Sequence, residues 1–362
     1  MPNRIWKGAH CSVAVLTLCT TLLLGASQAL AATRTSSEAA GRAMAEASRA
    51  ALSVDMPAAL DALTRVPAEQ FVGKDARMRN CMIQTFGSAD APPPVSGIDD
   101  PFARAVVAAY RRYWWHVLRQ PERRPALETR LGADLAALLD LAPPENTDAA
   151  LDRLVERIGD ALRERGLYAQ QGRTPPLHEL LLWTSQQPRD YSVALPEGFE
   201  QPVRVFILED FLSNGWTHYA RCGMRRPGGW ANPEGLYAVR HRYDSLESEE
   251  FQVSFLGHEA QHFADLRRWP DMPSWQLEYR AKLTQLVLAD ESLASILETF
   301  VRTRTDDRSL PHPYANSRVV RDLMEALELT SPADLSTTAP ANIRRVAREL
   351  LVRDTEQREP PR

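Results

Sequence analysis

Lysine is nearly absent from this chain: it supplies only three of the 43 basic residues, at positions 7, 74 and 282. Such an arginine bias is what a GC-rich genome produces, so the arginines are not read as a device for gripping phosphate. With 47 acids against 43 bases there is no global attraction to polyanions, and nucleic acid is not an expected partner. Glycine-rich phosphate loops, internal repeats and low-complexity tracts are also missing. Cysteine is scarce: Cys11, Cys19, Cys81 and Cys222 are the whole set. What is left, 44% hydrophobic and 25% charged over 362 residues, is an ordinary globular composition. It suffices for one large domain or two ordinary ones.

The N-terminus reads as a targeting signal. Arg4 and Lys7 form a basic start, "SVAVLTLCTTLLL" an apolar core and "ALA" at 29–31 a small-residue cleavage signature. The expectation is a signal peptide over 1–31 and export, to the periplasm of a Gram-negative cell or otherwise to the medium, with no membrane attachment after cleavage. The uncharged run from Cys11 to Ala32 also has the length of an uncleaved anchor, since a span needs about 20 apolar residues. Leu18 ahead of Cys19 argues against a lipoprotein. Cleavage leaves Cys81 and Cys222. In an oxidising compartment these form one disulfide between the two halves of the chain, or stay as two buried thiols, but they cannot make an all-thiolate metal site.

From Thr35 to about Gly166 the pattern is helical. "DDPFARAVVAAYRRYWWHVLRQ" (99–120) opens with a proline and keeps helical spacing. "TDAALDRLVERIGDALRERG" (147–166) puts Leu151, Leu154, Ile158 and Leu162 on one face. The cluster Tyr110, Tyr113, Trp114 and Trp115 reads as core packing rather than a binding platform. Short β-branched and aromatic runs, "RDYSVALPEG", "QPVRVFILEDF", "GWTHYARCG" and "GLYAVRHRY", predict strands between 190 and 243. "RRPGGWANPEG" (225–235) reads as a loop beside a cleft. Helices resume near Ser248. The order is helices, small sheet, helices, which predicts an α+β fold with a helical domain over 32–188 and a second domain over 189–362.

The chemistry concentrates in "SFLGHEAQHFADL" (254–266). Ser248 is the expected N-cap, with Glu249 and Glu250 in a first turn whose dipole favours carboxylates. His258 and His262 are four apart, so both imidazoles leave one helix face about one turn apart, as two nitrogen ligands of a single tetrahedral ion require. Glu259 lies beside the first, where a carboxylate reaches an attacking water as general base. A third donor is needed. After a proline turn, a helix starting near Ser274 carries Glu278 about one turn in, and an antiparallel packing would deliver that carboxylate to the histidines. Asp265 and Asp271 are rival carboxylates; Asp265, one turn past His262, is the expected acceptor for an imidazole N–H. The position six after His262 is Arg268, which excludes a third histidine there.

On these residues, about 254–282, the chain resembles the gluzincin class of zinc metallopeptidases, with H-E-x-x-H on one helix and a glutamate on the next. The resemblance implies a zincin-like fold for 189–362, one Zn2+ per chain on His258, His262 and Glu278, and Glu259 as catalytic base. It implies a peptide or protein substrate lying along the strand before the metal helix, here "GLYAVRHRY" (235–243). It also implies an oxyanion stabiliser from downstream, for which "LPHPYANSRVV" (310–320) offers His312 and Tyr314. Two features depart from the pattern: the short gap between His262 and Glu278, and Lys282 where an aspartate often follows the glutamate ligand. Two other functions stay open, a non-catalytic envelope protein that binds zinc and a partner, and a hydrolase of non-peptide amides. An inert site would be closed by a fourth protein ligand, whereas an enzyme's would be open to water.

Overall fold

The computed structural model describes residues 35–87, 90–145, 147–224, 228–232 and 234–359. The expected signal peptide lies outside them. Residues from Ser36 onward form one compact unit, mixed helix and sheet as the α+β expectation requires.

Six helices come first: α1 (Glu38–Leu52), α2 (Met56–Thr64), α3 (Gly73–Met82), α4 (Pro101–Arg119), α5 (Arg124–Ala137) and α6 (Asp148–Arg163). Local chemistry sets their starts. Asp100 accepts from the Ala103 amide at 2.7 Å and Thr147 from the Ala150 amide at 3.2 Å, caps worth about 1 kcal/mol each. Tyr110, Tyr113, Trp114 and Trp115 on α4 are all buried in the helical core. The Trp114 indole donates to the His178 carbonyl at 2.8 Å, satisfying the polar edge that a buried tryptophan carries.

Strands follow: β1 (Tyr168–Thr174), β2 (Leu177–Ala194) and β3 (Glu200–Asn214), then the short helix α7 (Trp216–Ala220), then β4 (Gly229–Asn232) and β5 (Gly235–Val239). The sheet order is β1-β2-β3-β5-β4, antiparallel except for the β3–β5 pair. Three expectations are corrected here. The sheet begins at 168 rather than 190, because Leu177–Trp183 is buried at every position, His178 and Glu179 included, and shows no alternation. As a result β2 runs straight through the expected domain boundary at 188–189. "GWTHYARCG" is helical over Trp216–Ala220: Gly215 takes φ +84° to break the strand, and the buried Glu179 carboxylate accepts from the Trp216 amide at 2.9 Å. The 225–235 stretch carries β4, its residues 225–227 and 233 lying outside those described.

Side chains alternate across the sheet. Val205, Ile207, Leu236 and Ala238 pack with Phe251, Phe255 and Ala260 of the segment that carries His258 and His262. Leu208 and Tyr237 join Trp183 and Leu181 on the other face. The C-terminal layer is α8 (Glu249–Phe251), a π-helical turn over Gln252–Gly257, α9 (His258–Arg268), α10 (Ser274–Leu288), α11 (Leu293–Arg302), α12 (Pro311–Ala326) and α13 (Pro340–Arg358). Cys81 and Cys222 form a disulfide with Cα atoms 6.1 Å apart, joining α3 to the segment after α7. No helix among the described residues is long and apolar enough to cross a membrane.

Candidate metal centre

Ser248 caps the motif segment by accepting from the Phe251 amide, as its sequence predicts. The helix then widens to π geometry over Gln252–Gly257 before closing as α9 at His258, a bulge of the kind that often accompanies functional sites. Gly257 sits where α10 crosses. A Cβ there would stand 2.9 Å from Leu288 Cδ1 and 3.3 Å from the Gln252 carbonyl oxygen, so any larger residue would make the Leu288 side chain shift.

That approach brings the expected donors together. His258 Nε2 and His262 Nε2 are 3.0 Å apart, and they lie 3.5 and 3.3 Å from the two carboxylate oxygens of Glu278. The three residues are the group of His, Cys, Asp or Glu side chains, among those described, able to hold one metal ion. Metal–nitrogen bonds of 2.0–2.1 Å in a tetrahedron imply donor separations of about 3.3 Å, which the three observed distances bracket. Glu278 and His258 are nearly buried, with side chains 10% and 9% exposed.

Protonation agrees with ligation. Gln285 on α10 donates its amide to the Ser254 carbonyl at 3.4 Å, which turns its oxygen toward His258 Nδ1 at 3.2 Å. An acceptor there fixes the proton on Nδ1 and leaves the Nε2 lone pair facing the other donors. Burial pushes the His258 imidazole below its ordinary pKa, with the His262 ring adding to the shift and Glu278 opposing it. Burial alone would raise the Glu278 carboxyl, but the imidazoles of His258, His262 and His312 hold it well below the usual carboxylate range. At the centre, among the described residues, His262 Nδ1 and Glu278 Oε2 are buried atoms without a well-oriented hydrogen bond, the second although His312 Nδ1 stands 2.6 Å from it. Unpaired buried polar atoms are uncommon, and a cation on the three donors removes the second. The residues fit a metal.

Beside the donors lies an open cleft of about 550 Å3, lined by His258, Glu259, Lys282 and His312 and walled by Ile296 and Phe300 of α11. Glu259 reaches it with its carboxylate in none of the hydrogen bonds or ion pairs formed among the described residues. His312 opens α12 with its side chain 69% exposed, and its Nδ1 is 2.6 Å from Glu278 Oε2. Tyr314 is elsewhere: it is buried against the Trp275 ring, and its hydroxyl accepts from Arg308 Nε at 3.0 Å.

Asp265 does not serve a histidine. It accepts from Arg280 Nε at 2.9 Å and from the Gln261 amide at 3.0 Å, two turns of α9 beyond His258 and against α10. The fully buried Arg280 guanidinium also binds Glu197 of the β2–β3 turn at 3.0 Å and Asp354 of α13 at 2.9 Å. These bonds fix α10, and with it Glu278, against three other elements. Asp271 falls outside the donor group. Sequence reasoning missed Gln285 and Arg280, though the spacing 278–285, two helical turns, holds the signal for Gln285. The expectation for 235–243 is corrected: β5 is paired on both sides, to β3 and β4, and no strand residue is among those lining the cleft.

Comparison with protein-family models, with curated proteins and with solved structures found no match to this chain.

Proposed function

We propose that this chain is an exported zinc-dependent hydrolase of peptide bonds, of gluzincin type on a zincin-like domain. One observation carries the reading: His258, His262 and Glu278 converge as a three-donor set at the wall of an open cleft that Glu259 also lines. A His, His, Glu set suits zinc and leaves a coordination position for chemistry.

Zinc, when bound there, supplies Lewis-acid polarisation of the scissile carbonyl and acidifies water. The chain does the rest. Glu259 takes a proton from the attacking water and passes it to the leaving amine. Gln285 holds His258 in the ligating tautomer. His312, on the exposed rim of the cleft, donates to the developing oxyanion.

His312 also gives the non-catalytic reading its foothold, since an imidazole this close to Glu278 could close the site as a fourth ligand. Glu259→Gln separates the two. The variant is expected to keep its zinc and lose at least 10²-fold in turnover of peptide substrates. Undiminished hydrolysis in the zinc-loaded variant contradicts the proposed role.

A further inference from the structure

Lys282 lines the cleft beside the donors, and neither metal ligation nor the proposed proton transfers use it. It follows Glu278 by one turn of α10, and its Nζ lies 3.7 Å from Glu278 Oε2 and 5.0 Å from the centroid of the Phe300 ring. A distance of 3.7 Å is too long for a hydrogen bond. The side chain is 9% exposed, and it lines the same cleft as Glu259 and His312. Among the described residues its ammonium is ion-paired with Glu278 and lies over the Phe300 ring, at the lining of the cleft.

The charge around it does not balance. Glu278 is the carboxylate next to Lys282, and in the proposed enzyme it is committed to a divalent cation. Glu259 is the base and becomes neutral when it takes its proton. Glu250 at the mouth of the cleft is occupied by Arg242 at 2.8 Å. A nearly buried ammonium beside a metal centre, with no free counter-charge, is an unfavourable arrangement until an anion arrives. The residue type points the same way. In a chain whose basic residues are almost all arginine, this position carries a compact ammonium on a flexible stem, which donates as a point charge rather than as a rigid fork.

Resting on the hydrolase reading, we infer that Lys282 is a substrate-recognition residue that binds a carboxylate next to the scissile bond, from either a peptide C-terminus or an acidic side chain. The cleft is within the size range of small-ligand pockets, and Ile296 and Phe300 give the adjoining apolar wall.

The test uses the zinc-loaded Glu259→Gln protein, so that bound peptides are not consumed, and reads binding by calorimetry. N-acetyl-alanyl-phenylalanine is compared with its C-terminal amide, and N-acetyl-alanyl-glutamate amide with N-acetyl-alanyl-glutamine amide. The acid of one pair is expected to bind at least about tenfold more tightly than its neutral partner; the first pair reports a chain-end carboxylate, the second a side chain. That preference is expected to vanish when Lys282→Met is added, with zinc content unchanged, and Lys282→Gln is a second neutral replacement of similar reach. Equal affinities in both pairs, absent binding included, overturn the inference, and so does a preference that survives both replacements. Failure of the hydrolase reading shows separately, as a parent chain that takes up no zinc.

Discussion

At the scale of single residues, the centre depends on one proton being in the right place. His258 ligates through Nε2 only while Nδ1 carries hydrogen, and the Gln285 oxygen at 3.2 Å enforces that state. Gln285→Leu keeps the volume and removes the acceptor. Its zinc affinity is expected to fall about 10- to 100-fold, measured by competition with a chromogenic chelator; unchanged affinity would mean that the tautomer needs no such support. The grouping of His258, His262 and Glu278 was legible in the sequence, because i, i+4 spacing on a helix is local geometry and a carboxylate one turn into the next helix follows from an antiparallel turn. The partners of Asp265 and Tyr314 were not. Both lie one turn or less from other predicted site residues, yet which way each points is decided by Arg280 and by Trp275 and Arg308, and these contacts arise only when α9, α10 and α12 pack.

At the scale of elements, the cleft wall is fastened to the metal helix by a carboxylate. Glu249, in the first turn of α8, accepts from the backbone amides of Asp290, Glu291 and Ser292 just ahead of α11, at 2.9, 3.1 and 2.8 Å, and from the Ser292 hydroxyl. Burial opposes ionisation of Glu249, but these hydrogen bonds prevail and hold its pKa below the ordinary value. Its contribution to stability is therefore complete above the unfolded-state value of about 4.3 and is lost as pH falls through the lower folded value. Glu249→Gln is expected to cost about 1–2 kcal/mol in urea unfolding at pH 7, with the difference from the parent shrinking as the pH drops below about 4. A penalty independent of pH would contradict the assignment. The sequence marks Glu249 only as an N-terminal acid suited to the helix dipole. Its reach to α11 spans more than forty residues of chain and carries no local signal. Strand β2 was hidden for a related reason: a run buried on both faces loses the period of two that identifies a strand.

At the scale of the whole molecule, a helical half and the half with the candidate metal centre share one sheet and one covalent tie. The Cys81–Cys222 bridge closes a loop of 141 residues, long enough that its removal frees much of the unfolded chain. Replacing both cysteines by serine is expected to lower stability by roughly 2–5 kcal/mol while leaving metal content intact, since neither cysteine is near the donors; loss of the metal in that variant would show that the two halves are coupled more closely than the contacts indicate. The α+β layout was readable from the order of textures along the chain, whereas the way β2 threads both halves was not.

The most direct test of the account is elemental analysis of protein expressed from about residue 32 after exposure to zinc, run beside His262→Ala and Glu278→Ala. The account predicts one zinc per chain in the parent, none in His262→Ala and weakened retention in Glu278→Ala. A parent that holds no metal after zinc supplementation would contradict it, leaving His258 and His262 as two histidines on an ordinary helix.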